Sequence, residues 1–316
     1  MGKIKKFKVD NKLKKAFKTE DSRFYLSVGL KVAGISFGIT IFVYWFVFEI
    51  IRVNYAFFKS QNFPEFADEN LFFNVVTEEA ISNLPILILF HIFIFFIGIY
   101  LGWLILRPFK TLGDYAEEAI GNINAVYRVE QFTSYSLLTR FSEHFFNFLR
   151  EIRKKNQIYS QSVPLQFMGI HKPVFDKVFM LHFGILLVII CLSVGTFIIE
   201  NASGVYISIV ELALNTLKDK KVVSKFLLEQ SFIIDDIALL TITLITISYT
   251  ALSFHIYTKV AGAAFGIFST MRSFMKGNYS SRVHLLGFSH LREYTRKINK
   301  YLDYIQNNFV KDTAKK

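Results

Sequence analysis

Residues Leu84–Leu106 read LPILILFHIFIFFIGIYLGWLIL, 23 positions with no acidic side chain, no Lys and no Arg. A helix needs about 20 apolar residues to cross the hydrocarbon layer of a bilayer, so this stretch alone predicts a transmembrane span. Three further runs of similar length and character lie at Val32 to Ile51, Val178 to Ile199 and Ile237 to Tyr257. The chain is 52% hydrophobic and 20% charged over 316 residues, with 36 Phe, more apolar surface than one water-soluble core of that size hides. The expected fold is all-α: a polytopic membrane protein with four transmembrane helices.

The first run follows a basic segment, but it exceeds a signal-peptide core and no small-residue cleavage site precedes Arg52, so it reads as an uncleaved span. Cys191, the single cysteine, falls inside the third run and excludes a disulfide framework or cysteine metal cluster. Lys and Arg number nine in residues 1–23, ten in 107–177 and eleven in 259–316, against one in 53–82 and four in 200–230. Positive charge near span ends resists translocation, so the three basic segments are expected in the cytoplasm, with both termini inside. The net charge of +12 is then a matter of topology and of anionic lipid, with Lys3 to Lys18 resting on the membrane surface; no nucleic-acid-binding module is recognisable.

The order span, loop, span, polar helices occurs twice, which predicts a duplicated unit. The expected segments are a basic N-terminus (1–25), a first two-span unit (26–106, loop 53–82), a first cytoplasmic helix pair (107–155), a linker (156–175), a second two-span unit (176–258, loop 200–230), a second helix pair (259–309) and a tail (310–316). Pro108 opens the first polar helix, which stops at Gly121-Asn122; the second runs from Lys259 and stops at Gly277-Asn278, with Arg128-Val129 and Arg282-Val283 following in step. Seven-residue apolar spacing marks a coiled-coil seam on each helix. The seams are Phe109, Leu112, Ala116, Ala119; then Leu138, Phe141, Phe145, Phe148, Ile152; then Ala261, Ala264, Phe268, Met271, Met275; and Leu291, Thr295, Ile298, Leu302, Ile305, Phe309. Amphipathic helices lying on a membrane face are the alternative reading of the same spacing.

The segment from Ala261 through Gly277, Arg282, Leu291 and Asn299 to Leu302 resembles a HAMP linker, the two-helix module of bacterial chemoreceptors and sensor kinases. A weaker version covers Arg107 to Arg153, with Pro108 at the position of the family's first-helix proline and Gly121 at the stop. Two departures stand out: His290 replaces the family's Glu at the start of the second helix, and Ala263 occupies the proline position of the second copy. The resemblance implies a parallel four-helix bundle that converts small motions of a membrane helix into a change of packing. Its partner helices would come from a second subunit, making a homodimer, or from the other repeat of the same chain. It also implies a bacterial inner-membrane protein.

No proline interrupts Ile237 to Lys276, so the fourth span and its polar helix form one expected rod of about 60 Å, weakened at Gly262 and Gly266 by roughly 1 kcal/mol each. Gly34-xxx-Gly38 and Gly98-xxx-Gly102 match the spacing that lets membrane helices approach closely. Trp45 and Trp103 suit interfacial anchoring. Only seven residues follow Phe309, so any output is expected through a partner in trans. No nucleotide loop, zinc-protease helix or nucleophile elbow is present, and no cofactor is expected. The leading functional reading is a non-enzymatic signal sensor, relay or scaffold acting on a cytoplasmic or membrane partner. Another is a small transporter or channel subunit with a polar path along Asp235, Asp236, Thr243, Thr246, Thr250 and Ser253. A third is a haem or quinone protein using His91, His182 or His255. Glu65, Asp68, Glu69, Glu78 and Glu79 make the first loop acidic.

Overall fold

The structure, a computed structural model, describes residues 19–60, 69–127, 136–173, 177–216 and 220–310. The basic segment Lys3 to Lys18, Glu65 and Asp68, Arg128-Val129, and the tail from Lys311 lie outside the described residues, as does the side chain of His182. The described chain is helical and has no strand. Its elements are α1 (Glu20–Ser60), α2 (Glu69–Gly121), α3 (Ser136–Lys155), the single turn α4 (Leu165–Met168), α5 (Lys177–Thr216), α6 (Lys220–Met275) and α7 (Arg292–Ile305). Among the described residues, four helices are long and apolar enough to cross a membrane, and they are α1, α2, α5 and α6.

Each long helix has a physical start and stop. Thr19 caps α1 by accepting the Ser22 amide at 3.3 Å, and Glu20 and Asp21 place negative charge in the first turn, where the helix dipole favours it. The end of α6 is a left-handed glycine cap: Gly277 has φ 102°, its amide donates to the Phe274 carbonyl and the Asn278 amide to that of Ser273. Asn156, at φ 48°, ends α3 with the same reach-back, Gln157 to Ile152. Gly121 stops α2 without a positive φ, so the two expected stops share a residue type but not a conformation.

The expected loops 53–82 and 200–230 are largely helical. α1 continues to Ser60 and α2 begins at Glu69, while α5 continues to Thr216 and α6 begins at Lys220. Aromatic pairs reward the extension: Tyr55 stacks on Phe72 at 5.3 Å and Phe57 on Phe226 at 3.7 Å. α2 also continues through Pro85 and Pro108, each removing one backbone donor from the ladder without ending the helix.

The chain divides into two compact units. One, the span unit, holds residues 29–98 and 185–253. Within it α1 and α2 run antiparallel, Gly98 against Gly29 and Tyr55 against Phe72. α2 meets α5 through a Phe90–Phe197 stack at 3.8 Å and a hydrogen bond from the Ser208 hydroxyl to Glu79 at 3.2 Å. α5 meets α6 at Gly195 and Ile245, and α6 returns to α1, where the Tyr249 hydroxyl donates to the Val32 carbonyl at 2.9 Å. The four segments thus close a ring around Val43, Ile94, Val194, Ile198 and Ile245, while Leu89, Phe96, Phe232 and Leu239 stand exposed on its outside. An apolar exterior of this kind is what lipid, not water, solvates.

The other, the bundle unit, holds residues 1–28, 99–184 and 254–316. Its described part contains the end of α2, all of α3 and α4, the last stretch of α6 and α7, with the first turns of α1 against α7.

Candidate functional site

The seams predicted from seven-residue spacing converge in the bundle unit. Phe109, Leu112, Ala116 and Ala119 of α2, and Leu138, Phe141, Phe145, Phe148 and Ile152 of α3, are at most 2% exposed. Phe268, Met271 and Met275 of α6, and Leu291, Ile298, Leu302 and Ile305 at and along α7, are at most 1% exposed. Contacts cross between the two halves of the chain. Phe141 meets Phe268 edge-on at 4.6 Å, Phe145 meets Phe274 at 6.1 Å, and the Ser142 hydroxyl lies 3.7 Å from the Met271 sulfur. On the other side, a Cβ at Gly113 would lie 3.0 Å from the Tyr294 Cα, so α2 and α7 touch almost backbone to backbone. Phe146 reaches both Tyr115 and Tyr301. The core is therefore shared by four helices of one chain, two from each half.

Polar contacts frame this core. Lys297, 18% exposed, holds Asp114 at 2.8 Å and Glu117 at 2.9 Å, with Glu293 at 3.8 Å. Partial burial works against its charge, but the hydrogen bonds and charges of Asp114 and Glu117 outweigh it and raise the ammonium above the ordinary lysine value. Arg153 donates to the terminal carbonyls of α2, Ala119 and Ile120, and lies over the Tyr304 ring at 5.2 Å. It satisfies acceptors that a helix end otherwise leaves open.

The connector from α6 to α7 carries the residues singled out in the sequence. Arg282, its side chain 16% exposed, donates to Asp303 at 2.7 Å, to the carbonyls of Tyr279 and Ser281 at 2.9 and 2.8 Å, and to Gln306. Asn299 clamps Val283 from both sides, accepting its amide at 2.8 Å and donating to its carbonyl at 3.0 Å. Gly262 and Gly266 face this connector: Phe288 lies 3.7 Å from the Cβ position of the first and Leu285 only 2.6 Å from that of the second. These glycines make room for connector side chains inside an unbroken helix. Over the same stretch, the α3–α5 linker packs through Gln161 to the Met275 carbonyl and Arg272 to the Ile170 carbonyl.

His290 fills the place where the HAMP resemblance calls for Glu. Its ring stacks on Phe24 at 4.4 Å, and beside it Tyr294 donates to Asp21 and Arg292 pairs with Glu20 at 3.7 Å. Burial, helped by the Lys259 charge and opposed by Asp21, lowers its imidazole to about 4. Burial and the Asp21 carboxylate likewise push the Tyr294 phenol up. Asp21, Phe24, Asp114, Glu117, Arg153 and Lys297 were not singled out in the sequence; acidic residues three apart on an amphipathic helix were the only hint, and their partner lies in the other half of the chain.

Other expected sites are not assembled. Gly98 and Gly102 do pack, the first with its Cβ position 2.7 Å from Gly29 Cα and the second 3.1 Å from Tyr25 Cα. Gly34 and Gly38 have nothing within 4 Å, because the packed face of α1 is that of Val28, Val32 and Ile39. The expected polar path faces outward: Asp235, Asp236, Thr243, Thr246 and Thr250 are exposed, and the Thr243 and Thr246 hydroxyls donate to their own helix at Leu239 and Ile242. Ser253 is buried. His91 bonds Thr40 at 3.1 Å and the Leu87 carbonyl at 2.7 Å, a structural arrangement, and His255 is exposed. Trp103 lies under Arg107 at 4.9 Å, and Trp45 is exposed.

No protein-family model, curated protein or solved structure matches the chain.

Proposed function

We propose that this chain is a non-enzymatic signal relay or scaffold of a bacterial inner membrane, acting on a partner protein through a HAMP-like bundle supplied by both of its halves. The observation that carries the reading is the burial of the four heptad seams against one another, all but the half-buried Phe309 at the end of the last, joined to the connector held by Gly277, Arg282 and Asn299. α6 supports the relay, since the fourth apolar span and the segment that ends at the connector belong to one uninterrupted helix of 56 residues. In this reading the basic segments face the cytoplasm, and the four helices that a HAMP dimer draws from two subunits come from one.

Disulfide trapping in membranes tests the arrangement. In a Cys191→Ser background, Ser142→Cys paired with Met271→Cys is expected to close within one chain. Single cysteines at Phe268, Met271, Ile298 or Leu302 are expected to give no dimer. Dimers recurring with a seven-residue period from the single cysteines would move the partner helices to a second subunit and sink the intrachain reading. Thr241 of α6 is buried in the span unit, its hydroxyl donating to the Ile237 carbonyl at 2.7 Å; relay predicts that Thr241→Leu changes amide exchange in residues 277–291, and an unaltered connector would reduce the bundle to a scaffold.

A further inference from the structure

Three side chains at one end of the span unit are buried with polar atoms that nothing in the protein satisfies. Asn54 of α1 is 1% exposed, Tyr206 of α5 is 5% and Gln230 of α6 is 6%. The Asn54 Oδ1, the Tyr206 hydroxyl and the Gln230 Oε1 each lack a hydrogen-bond partner at normal geometry. An orphaned buried carbonyl or hydroxyl costs as much as a lost hydrogen bond or more, and native proteins nearly always match it with protein or with ordered water.

Helix register relates the three groups. Asn54 and Tyr206 lie close to one another but outside hydrogen-bond geometry. α1 and α6 are antiparallel, fixed at one end by the Phe57–Phe226 stack and toward the other by the Tyr249 bond to Val32. One helical turn from that stack, in the same direction on both helices, come Asn54 and Gln230. Their burial turns both toward the interior of the ring, where Tyr206 arrives from α5.

The unmet atoms are two amide oxygens and a phenol. The oxygens can only accept and the phenol can accept or donate, so the guest they call for is a small donor that can also accept. No carboxylate belongs to the set, and three neutral oxygens are a poor replacement for the hydration shell of a cation. We propose that Asn54, Tyr206 and Gln230 enclose an internal hydration site, in which ordered water bridges α1, α5 and α6. A buried water typically makes about three hydrogen bonds to groups otherwise left unpaired, the number of groups offered here.

Radiolytic hydroxyl labelling of the full chain in lipid nanodiscs tests this, because ionised bound water oxidises the side chain it touches even when bulk solvent does not reach it. Tyr206, 5% exposed, is expected to label at least tenfold above Tyr249, a fully buried tyrosine whose hydroxyl is already bonded to protein. Asn54→Leu is expected to reduce the Tyr206 label at least severalfold; the wild-type comparison of the two tyrosines decides the matter even if that variant does not fold. Tyr206 as silent as Tyr249 would overturn the proposal. So would an unfolding temperature that rises when sodium or potassium replaces choline and loses that rise in Gln230→Leu, since the guest would then be a cation.

Discussion

At the scale of single residues, two glycine motifs of the same spacing have opposite surroundings. An alanine methyl at Gly98 would lie 2.7 Å from backbone of α1, which only a shift of the helices relieves, whereas at Gly34 it meets nothing. Gly98→Ala is therefore expected to lower stability by about 1–3 kcal/mol, the usual cost of overpacking, and Gly34→Ala to leave it unchanged or slightly raised. Thermal unfolding in detergent, compared between the two variants, checks this. His290 supplies a pH dependence. Its folded-state value is about 4 against an ordinary 6.5, so between these limits the unfolded chain binds the extra proton and the fold loses stability as pH falls. The unfolding temperature is expected to drop from pH 6.5 towards pH 4 more steeply in the native chain than in His290→Phe, which keeps the stack on Phe24. Parallel slopes would show that the imidazole does not titrate with folding.

At the scale of elements, the connector between α6 and α7 is held by few groups, and Asn299 is the one that bonds it on both sides. Asn299→Ala removes two hydrogen bonds and leaves the Val283 amide and carbonyl to find water, a loss of about 1–3 kcal/mol. Amide exchange is expected to quicken at Val283 and its neighbours while the interior of α6 stays protected; exchange quickening throughout the bundle would mean that the connector and the helices open as one. Helices of this kind were legible in the sequence because their signals are local. Apolar runs near 20 residues marked the spans, and Gly277 marked the end of α6 because a left-handed cap suits glycine. The extension of α1 beyond Arg52 and of α5 beyond Glu200 was not legible, since it depends on rings such as Phe57 and Phe226 meeting across the ring of helices. Gly121 misled for the same reason: a glycine after a helix does not declare its φ, and here Arg153 from α3 caps the carbonyls instead.

At the scale of the whole molecule, seven-residue spacing told which positions would be buried but not against what. Phe268 and Ile298 carry the same seam signal whether the facing helix belongs to a second copy or to residues 109–152, because a heptad encodes a face and not a partner. What distinguishes the cases is cross-pairing that spacing does not contain: Lys297 between Asp114 and Glu117, Gly113 beneath Tyr294, Ser142 beside Met271. The outward-facing Thr243 and Thr246 teach the converse. A hydroxyl stripe in an apolar helix satisfies itself on its own backbone and so carries no information about which way it points.

A bundle whose four helices all come from one polypeptide, as proposed above, would also be free of mass action. A bundle shared between separate subunits comes apart on dilution, and the fraction assembled follows how many copies the membrane contains. In the intrachain arrangement proposed above the two halves are tethered, each present to the other at the effective concentration set by the intervening chain, so the bundle would be equally complete in a cell holding a handful of molecules and in one holding thousands.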